Sequence, residues 1–195
     1  RSPFARYTDM RIQSRAGFSL VEALIIMTLV GIMAGFALPR LRPSEGRLVR
    51  EAAYQLVTDL EVVRSRALAT RSLTRVLVAP AASRYDAFLD INRDLVLDQS
   101  QAERDSVAVF RGRALEGHVV FGRGGAPAVP GFPGVGAVSL ADSRVDFNTR
   151  GLTDPFGSSG AIYLTSSEDP SVVLAVTVSG AGAMRVWTLD HGTWQ

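Results

Sequence analysis

The sequence predicts an α+β protein in which a long N-terminal helix packs against a C-terminal antiparallel, β-rich head. Three observations lead to this prediction. Residues 18–38 form an apolar run of helical length, residues 47–71 place apolar side chains at helical spacing, and short β-like runs follow Thr74. A helix followed by a series of strands is typical of a sheet that folds over one face of the helix.

The composition excludes several classes of protein. A chain of 195 residues has room for one membrane segment and one domain of ordinary size. It contains no cysteine, so disulfides, thiolate chemistry and the commonest zinc sites are excluded. Its 21 basic residues are all arginine and balance 19 acids, giving a formal net charge of +2. Bulk nucleic-acid binding is therefore not indicated, although a local arginine cluster is compatible with this total.

The apolar run predicts a transmembrane helix over residues 18–39. As a helix it spans roughly 30 Å, the thickness of a bilayer core, and its only ionisable residue is Glu22. Both flanks are rich in arginine, so charge alone does not set the orientation. A secretory signal peptide has a shorter apolar region, whereas a plain single-pass anchor explains everything except Glu22 and the position of Gly17.

The order Gly17, Phe18, Ser19, Leu20, Val21, Glu22, followed by an apolar helix, resembles the prepilin-type cleavage and methylation signal of type IV pilins and type II secretion pseudopilins. The resemblance implies that residues 1–17 are a cytoplasmic leader, that prepilin peptidase cuts between Gly17 and Phe18, and that the new amine of Phe18 is methylated. A carboxylate in lipid is tolerated when a cation is supplied, and the amine of Phe18 on a neighbouring subunit would pair with Glu22 and set the subunit register. The alternative is that Glu22 lies near the helix end and reaches the membrane interface.

Residues 40–72 are predicted to continue the helix in amphipathic form. The charged residues of this segment, among them Asp59 and Arg64, fall mostly off the apolar positions and are expected on a solvated or inter-subunit face. The predicted apolar stripe consists of Leu48, Ala52, Leu56, Leu60, Val63 and Ala67.

Residues 73–195 are predicted to form the β-rich head, in eight short strands separated by clusters of turn residues. Residues 121–138 are so rich in glycine and proline that they predict a long exposed loop. The helix over 52–71 and the closing strands, with Phe147, Gly151 and Gly182 as landmarks, resemble the GspH/FimT-type minor pilins. That resemblance implies a non-enzymatic subunit which primes or caps a helical filament of other pilins on an inner-membrane assembly platform. It also implies a single-pass protein of the inner membrane, with its head on the extracytoplasmic side.

Some pilus members of that family bind DNA through arginines near the C-terminus, around a Gly-Arg-x-Arg pattern. The matching stretch here is Gly182-Ala183-Met184-Arg185, in which only Arg185 is present. The implied DNA contact is therefore reduced to one arginine, and DNA reception for transformation is kept as an alternative function. A membrane-anchored extracytoplasmic enzyme or carbohydrate-binding domain is the alternative from another class.

The stretch "LDINRDLVLD" is the one candidate for a metal site. Asp90, Asn92, Asp94 and Asp98 have spacings similar to the start of a calcium loop. Leu95 replaces the glycine of that loop and Gln101 replaces its final glutamate, so a hairpin turn is the competing interpretation. His118, expected as a partly buried strand residue, has no sequence-local partner for catalysis or metal binding.

Overall fold

A computed structural model of the chain describes residues 19–37, 44–92 and 108–195. The chain divides into two compact units, residues 1–42 and residues 43–195. The first unit contains helix α1, and the second contains helix α2 and all the strands.

Helix α1 spans Leu20–Ala37 and is apolar around its whole circumference. Large side chains such as Leu20, Met27 and Met33 are exposed by 70% or more. The predicted membrane helix, 18–39, begins and ends outside the described residues. Judged by length and hydropathy together, no helix in the described ranges qualifies as a membrane span.

Helix α2 spans Glu45–Thr70 and ends where Arg71 adopts a left-handed backbone (φ 52°). Part of the predicted stripe is confirmed, because Leu56, Leu60, Val63 and Ala67 are buried. At the N-terminal end the prediction was wrong by one position, because the buried residues there are Val49 and Ala53. Leu48 and Ala52 are only half buried, at the edge of the core.

In the described residues the strands form two antiparallel sheets, and two 3-10 helices lie in connections between consecutive strands. The first sheet has the order β3-β2-β1-β5 and the second the order β4-β6-β7-β8-β9. All eight predicted strand regions contain strands, and a ninth, β9, was not predicted. The strands are β1 (Thr74–Ala79), β2 (Arg84–Leu89), β3 (Ala108–Ala114), β4 (Val119–Phe121), β5 (Arg144–Phe147), β6 (Gly160–Ser166), β7 (Val173–Val178), β8 (Met184–Asp190) and β9 (Thr193–Trp194), and the 3-10 helices are Pro80–Ala82 and Ala141–Ser143.

The core lies between α2 and the two sheets. The buried face of α2 packs on Tyr85 and Phe147 from the first sheet and on Leu164 and Val176 from the second, all fully or almost fully buried. The predicted packing of an amphipathic helix against an antiparallel head is therefore confirmed for α2.

Strand β3 carries a bulge opposite Asp86. The register of β2 and β3 shifts on both sides of Ala87, and Gly112 has a left-handed backbone (φ 54°). The N–H of Gly112 donates to the Asp86 carboxylate at 2.5 Å instead of to a ladder partner. The ladder between the two strands is therefore interrupted at this point.

The glycine- and proline-rich stretch 121–138 covers the outer face of the second sheet, so its prediction as an exposed loop was wrong in part. Ala126 and Val129 are buried in a second small core with Tyr163 and Trp194. The Val129 N–H donates to the Tyr163 hydroxyl at 3.1 Å, and the indole N–H of Trp194 donates to the Pro127 carbonyl at 3.2 Å. The outer face of this sheet is itself apolar, so a cover that removes it from water is favourable.

Candidate functional site

Of the motif that resembles a prepilin signal, the structure describes the part after Phe18. Gly17 and Phe18 lie outside the described residues. Glu22 lies in the first turn of α1, and its side chain is exposed. Among the described residues it has no ion-pair or hydrogen-bond partner, so its carboxylate is accessible to a cation on another molecule.

The predicted calcium ligands fall at the end of β2. Asp90 is fully buried and its N–H donates to the Leu73 carbonyl at 2.9 Å, while Asn92 is exposed two residues later. Asp94 and Asp98 lie outside the described residues. Within residues 19–37, 44–92 and 108–195, no three acidic or histidine side chains converge in a way that could hold a metal ion. Calcium binding stays a prediction from the sequence.

Arg185 lies on β8 with its guanidinium 4.2 Å from the centre of the Trp187 ring. The indole N–H of Trp187 donates to the Thr177 hydroxyl at 3.0 Å, which fixes the plane of the ring. The arginine is exposed while the tryptophan is half buried. The pair therefore presents one cation held against an aromatic face.

His118 lies in a turn before β4 and is exposed, so its expected position inside a strand was wrong. Its Nδ1 is 3.6 Å from the Glu168 carboxylate, and 56% of its side chain is accessible. His191 is likewise exposed, in the turn between β8 and β9.

A buried polar network centred on Asp59 of α2 was not predicted from the sequence. Asp59 is 5% exposed, and its carboxylate accepts hydrogen bonds from the Tyr85 hydroxyl at 2.6 Å and from the Gln55 amide at 3.0 Å. The Arg113 guanidinium donates to the same carboxylate and lies 4.9 Å from the centre of the Phe110 ring. The prediction that Asp59 lies on a solvated face was therefore wrong. Asp59 lies three residues after Leu56 and four before Val63, a spacing that would have placed it on the buried face.

The network sets the protonation states of its members. Burial raises the pKa of the Tyr85 phenol well above its usual value, and the hydrogen bond to Asp59 raises it further. The hydrogen bond to Asp59 also raises the pKa of Arg113. Tyr85 therefore remains a neutral donor, and Arg113 a cation, throughout the physiological pH range.

A groove of about 430 Å³ opens above this network, between α2 and the segment after β3. Its aliphatic walls include Leu48, Ala52 and Leu115, and Glu51 and Glu116 stand at its rim. Arg113 also lines the groove, and its charge is balanced by the buried Asp59. Glu51 pairs with Arg47 at the surface, whereas the described residues supply no side-chain partner for Glu116. This feature, called here the acidic groove, is thus an aliphatic cleft with carboxylates at its mouth.

Two of the glycines singled out from the sequence hold the opposite end of α2. The Arg64 Nε donates to the Gly151 carbonyl at 2.8 Å, and Gly182 lies against the same groups with φ +75°. Gly151 also packs on Leu68, since a Cβ added at Gly151 would be 3.1 Å from the Leu68 Cγ. Leu68 therefore lies beside the loop that contains Gly151.

The surface next to Leu68 combines a cation with apolar groups. Arg150 and Phe156 line one shallow depression of about 390 Å³. Phe156 is 79% exposed and Leu68 is 47% exposed. Arg150 is also exposed, and the described residues place no carboxylate within ion-pair distance of its guanidinium.

No family model matches the chain. No curated protein matches it either. The chain is similar to the solved structure of the type IV minor pilin FimU of Pseudomonas aeruginosa, with 9% identity and a TM-score of 0.48, covering 75% of this chain and 92% of that one. It is also similar to the minor pseudopilin EpsH from the type 2 secretion system of Vibrio cholerae, with 12% identity and a TM-score of 0.47, covering 72% of this chain and 96% of that one. A likeness at this level leaves the family and the function of the chain to be argued from its own residues.

Proposed function

We propose that the chain is a minor pilin or pseudopilin, a non-enzymatic subunit that primes or caps a type II secretion pseudopilus or a type IV pilus. Prepilin peptidase removes residues 1–17, Phe18 becomes the methylated N-terminus, and the apolar segment anchors the subunit in the inner membrane with its head outside the cytoplasm. The observation that carries the proposal is the Gly17-to-Glu22 motif, which is followed directly by an apolar helix with exposed side chains.

The position of Glu22 supports an assembly role. An ionised carboxylate near the start of an apolar helix is unfavourable in lipid unless a cation pairs with it. Glu22 is exposed, and no described residue of the chain supplies a cation to it, so its carboxylate is open to a partner on another molecule. After cleavage, the amine of Phe18 on a neighbouring subunit would supply it. The charge pair would then favour one stagger between neighbouring helices.

The difference between the two helices supports a different role for each. α1 is apolar on every side and packs on nothing that the structure describes within its unit, whereas α2 buries one face in the core of the head. A helix that is apolar all round requires lipid or other helices for cover. α1 would therefore supply the membrane anchor and the filament axis, and α2 would carry the head.

The first experiment determines the N-terminus of the chain by mass spectrometry, in its native host with and without active prepilin peptidase. The proposal predicts a mature chain that begins at a methylated Phe18 and depends on the peptidase. Gly17→Leu should abolish the cut, and Gly31→Leu, which changes a glycine within α1, should leave it unchanged. An intact leader, or a cut elsewhere, would remove the proposal's main support.

A second function, DNA reception, is favoured by one observation, the exposed guanidinium of Arg185 on the Trp187 ring. Arginine and aromatic faces together suit stacked single-stranded bases. If this function holds, the full chain retards single-stranded DNA in a salt-sensitive manner, and Arg185→Ala removes the effect while Arg144→Ala does not. No retardation by the unmodified chain at low salt would exclude it.

A further inference from the structure

A cleft of about 520 Å³ lies beside the first two turns of α2, against β7 and β8. The charged residues among its described lining, Arg47 and Arg50, are both cations and both exposed. The other walls supply hydroxyl groups and aliphatic side chains, from Ser44, Ser171 and Thr188 and from Val172, Leu174 and Leu189. This basic cleft therefore combines positive charge, hydroxyl groups and hydrocarbon in one place.

The two guanidiniums have hydrogen-bond donors left for a ligand. The described residues place no carboxylate within ion-pair distance of Arg50. Arg47 pairs with Glu51 through its Nε at 2.7 Å, on an exposed surface where such a pair is weak, and a guanidinium has five N–H donors. Glu45, the acid at the start of the helix, accepts instead from the Ser166 hydroxyl at 2.6 Å. The positive charge of the cleft is therefore not neutralised by its surroundings.

The chemistry of the basic cleft fits the headgroup of an anionic phospholipid. Guanidiniums bind phosphate oxygens through charge-assisted and often bidentate hydrogen bonds. The hydroxyl groups suit a polyol such as glycerol, and the aliphatic walls suit the hydrocarbon next to the phosphate. A choline headgroup would bring its own cation towards the two arginines, so a lipid of net negative charge is preferred.

The position of the cleft in the chain favours a lipid over a soluble phosphate compound. Ser44 follows Ala37, the last residue of α1, by only seven positions. If α1 is the membrane anchor, this short link keeps the start of α2 near the bilayer surface. Arginines are favoured on the cytoplasmic side of an anchor, whereas the proposed function places Arg47 and Arg50 on the other side. A contact with anionic lipid gives them a role there.

We propose that the basic cleft binds the headgroup of an anionic phospholipid of the membrane in which α1 is anchored. Arg47 and Arg50 hold the phosphate, and the hydroxyl groups of the cleft receive the rest of the headgroup. The contact holds the start of α2 at the bilayer surface while the subunit resides in the membrane. The inference rests on the membrane anchoring in the proposed function and adds to it a ligand of the head.

Arginine modification tests the contact on the full chain. Phenylglyoxal, an uncharged reagent, is added to the chain in nanodiscs of phosphatidylglycerol or of phosphatidylcholine, and peptide mass spectrometry gives the rate at each arginine. Phosphatidylglycerol should slow the modification of Arg47 and Arg50 about fivefold. Arg66 is the matched control, because it is also exposed on α2 but lies 16 positions after Arg50, about 24 Å along the helix. Its rate should be equal in the two lipids, since that distance exceeds the Debye length.

A substitution in the cleft separates a bound headgroup from general attraction to a charged surface. Ser171→Trp fills the cleft without a change of charge and should remove the protection of Arg47 and Arg50. Ser167→Trp makes the same change at an exposed serine of the same connection, outside the cleft lining, and should retain the protection. Circular dichroism of both variants establishes that they are folded.

Four outcomes would overturn the inference. They are equal rates at Arg50 in the two lipids, equal slowing at Arg66, protection that survives Ser171→Trp, and the same protection in phosphatidylcholine when inorganic phosphate is added. The cut at Gly17 is measured separately, so a chain that is processed but insensitive to lipid charge retains the proposed function and loses this ligand. A chain that is protected by anionic lipid but not processed does the reverse.

Discussion

At the scale of single residues, the defining feature is a carboxylate buried under three donors. Asp59 accepts from Tyr85, Gln55 and Arg113 and so joins α2 to β2 and β3. A buried charge is tolerated only when its hydrogen bonds are made, and a missing donor leaves part of its desolvation uncompensated. The stability of the head should therefore be sensitive to each donor.

Removal of the Tyr85 hydroxyl tests this sensitivity. Tyr85→Phe keeps the ring in the core but deletes the 2.6 Å hydrogen bond to a charged acceptor. We expect the free energy of unfolding to fall by about 1.5–3 kcal/mol, measured by urea denaturation of the full chain in mild detergent. Tyr54→Phe changes a tyrosine that is 57% exposed. It should alter the free energy of unfolding by less than about 0.5 kcal/mol. Equal effects of the two substitutions would contradict the prediction.

The same network predicts a loss of stability at alkaline pH. The folded state raises the pKa of Tyr85, whereas in the unfolded chain the phenol titrates near its usual value of about 10. The contribution is therefore fully present below about pH 10 and is lost as the pH rises, because only the unfolded state releases the proton. Tyrosinate absorbance of the unmodified chain, compared with that of Tyr85→Phe, should show that Tyr85 ionises only when the chain unfolds. Ionisation of Tyr85 near pH 10 in a folded chain would contradict this.

At the scale of elements, the C-terminal half of α2 is fixed by a glycine contact. A Cβ added at Gly182 would lie 2.9 Å from the Arg64 Nε and against the Gly151 carbonyl. Because Arg64 donates to that same carbonyl, a side chain at Gly182 would disturb the bond between helix and loop.

Gly182→Ala should therefore destabilise the head more than an alanine at a comparable backbone angle in open space. Gly136 is the matched control, because its φ is +82° and nothing lies within 4 Å of an added Cβ. Gly136→Ala should cost about 1–2 kcal/mol for the backbone alone. Thermal unfolding of both variants gives the loss of unfolding free energy for each. The larger loss in Gly182→Ala measures the displaced contact with Arg64. Equal losses would show that Arg64 moves aside freely.

A second element-scale feature is the ion pair that joins β1 to β5. Arg75 and Asp146 are register partners in adjacent strands, and two bonds of 2.8 and 2.7 Å connect them in a buried setting. Breaking a buried pair so that one charge is left uncompensated typically costs about 3–5 kcal/mol. Asp146 has a second cation nearby, because the Arg144 Nε lies 3.5 Å from its carboxylate.

Arg75→Ala is accordingly expected to lower the free energy of unfolding by up to about 3–5 kcal/mol, reduced by the share of the Asp146 charge that Arg144 compensates. The exposed pair of Arg47 and Glu51 provides the comparison, because its side chains are 71% and 58% accessible. Arg47→Ala should lower the same quantity by only about 0.3–0.5 kcal/mol. Chemical denaturation of the two variants distinguishes the cases, and similar losses would mean that burial does not govern the strength of the pair.

The elements were predictable from the sequence where a local period is strong, and less so where distant parts meet. The eight strand regions and the C-terminal part of the α2 stripe, from Leu56 to Ala67, follow from spacing alone. The burial of Asp59 depends on donors 26 and 54 residues away, so only its position on the helix hinted at it. The burial of Val129 depends on a tyrosine hydroxyl 34 residues away, and a composition rich in glycine and proline gave no sign of that partner.

At the scale of the whole molecule, the chain separates its apolar surface from its charges. Of the described residues, those of α1 expose almost only hydrocarbon, and those of the second unit form the ion pairs and the two sheets. Of the candidate residues from the sequence, Glu22 and Arg185 are exposed and accessible, and Asp90 is buried. Gly17, Phe18, Asp94 and Asp98 lie outside the described residues, so their roles rest on the sequence motifs alone.

The bulge at Gly112 affects the tendency of such heads to aggregate when many copies are held close together. An uninterrupted edge strand offers a row of free N–H and C=O groups to which a stray strand can add, and this is a common route to amyloid-like aggregates. In the described part of the head, β3 is broken by its bulge, and the other outer strands are short, with four residues in β5, three in β4 and two in β9. At these strands, a neighbouring head finds only short or interrupted stretches of free backbone to which a strand could add. Contacts between heads at these edges are therefore left mainly to side chains, whose shape and charge can select the correct partner.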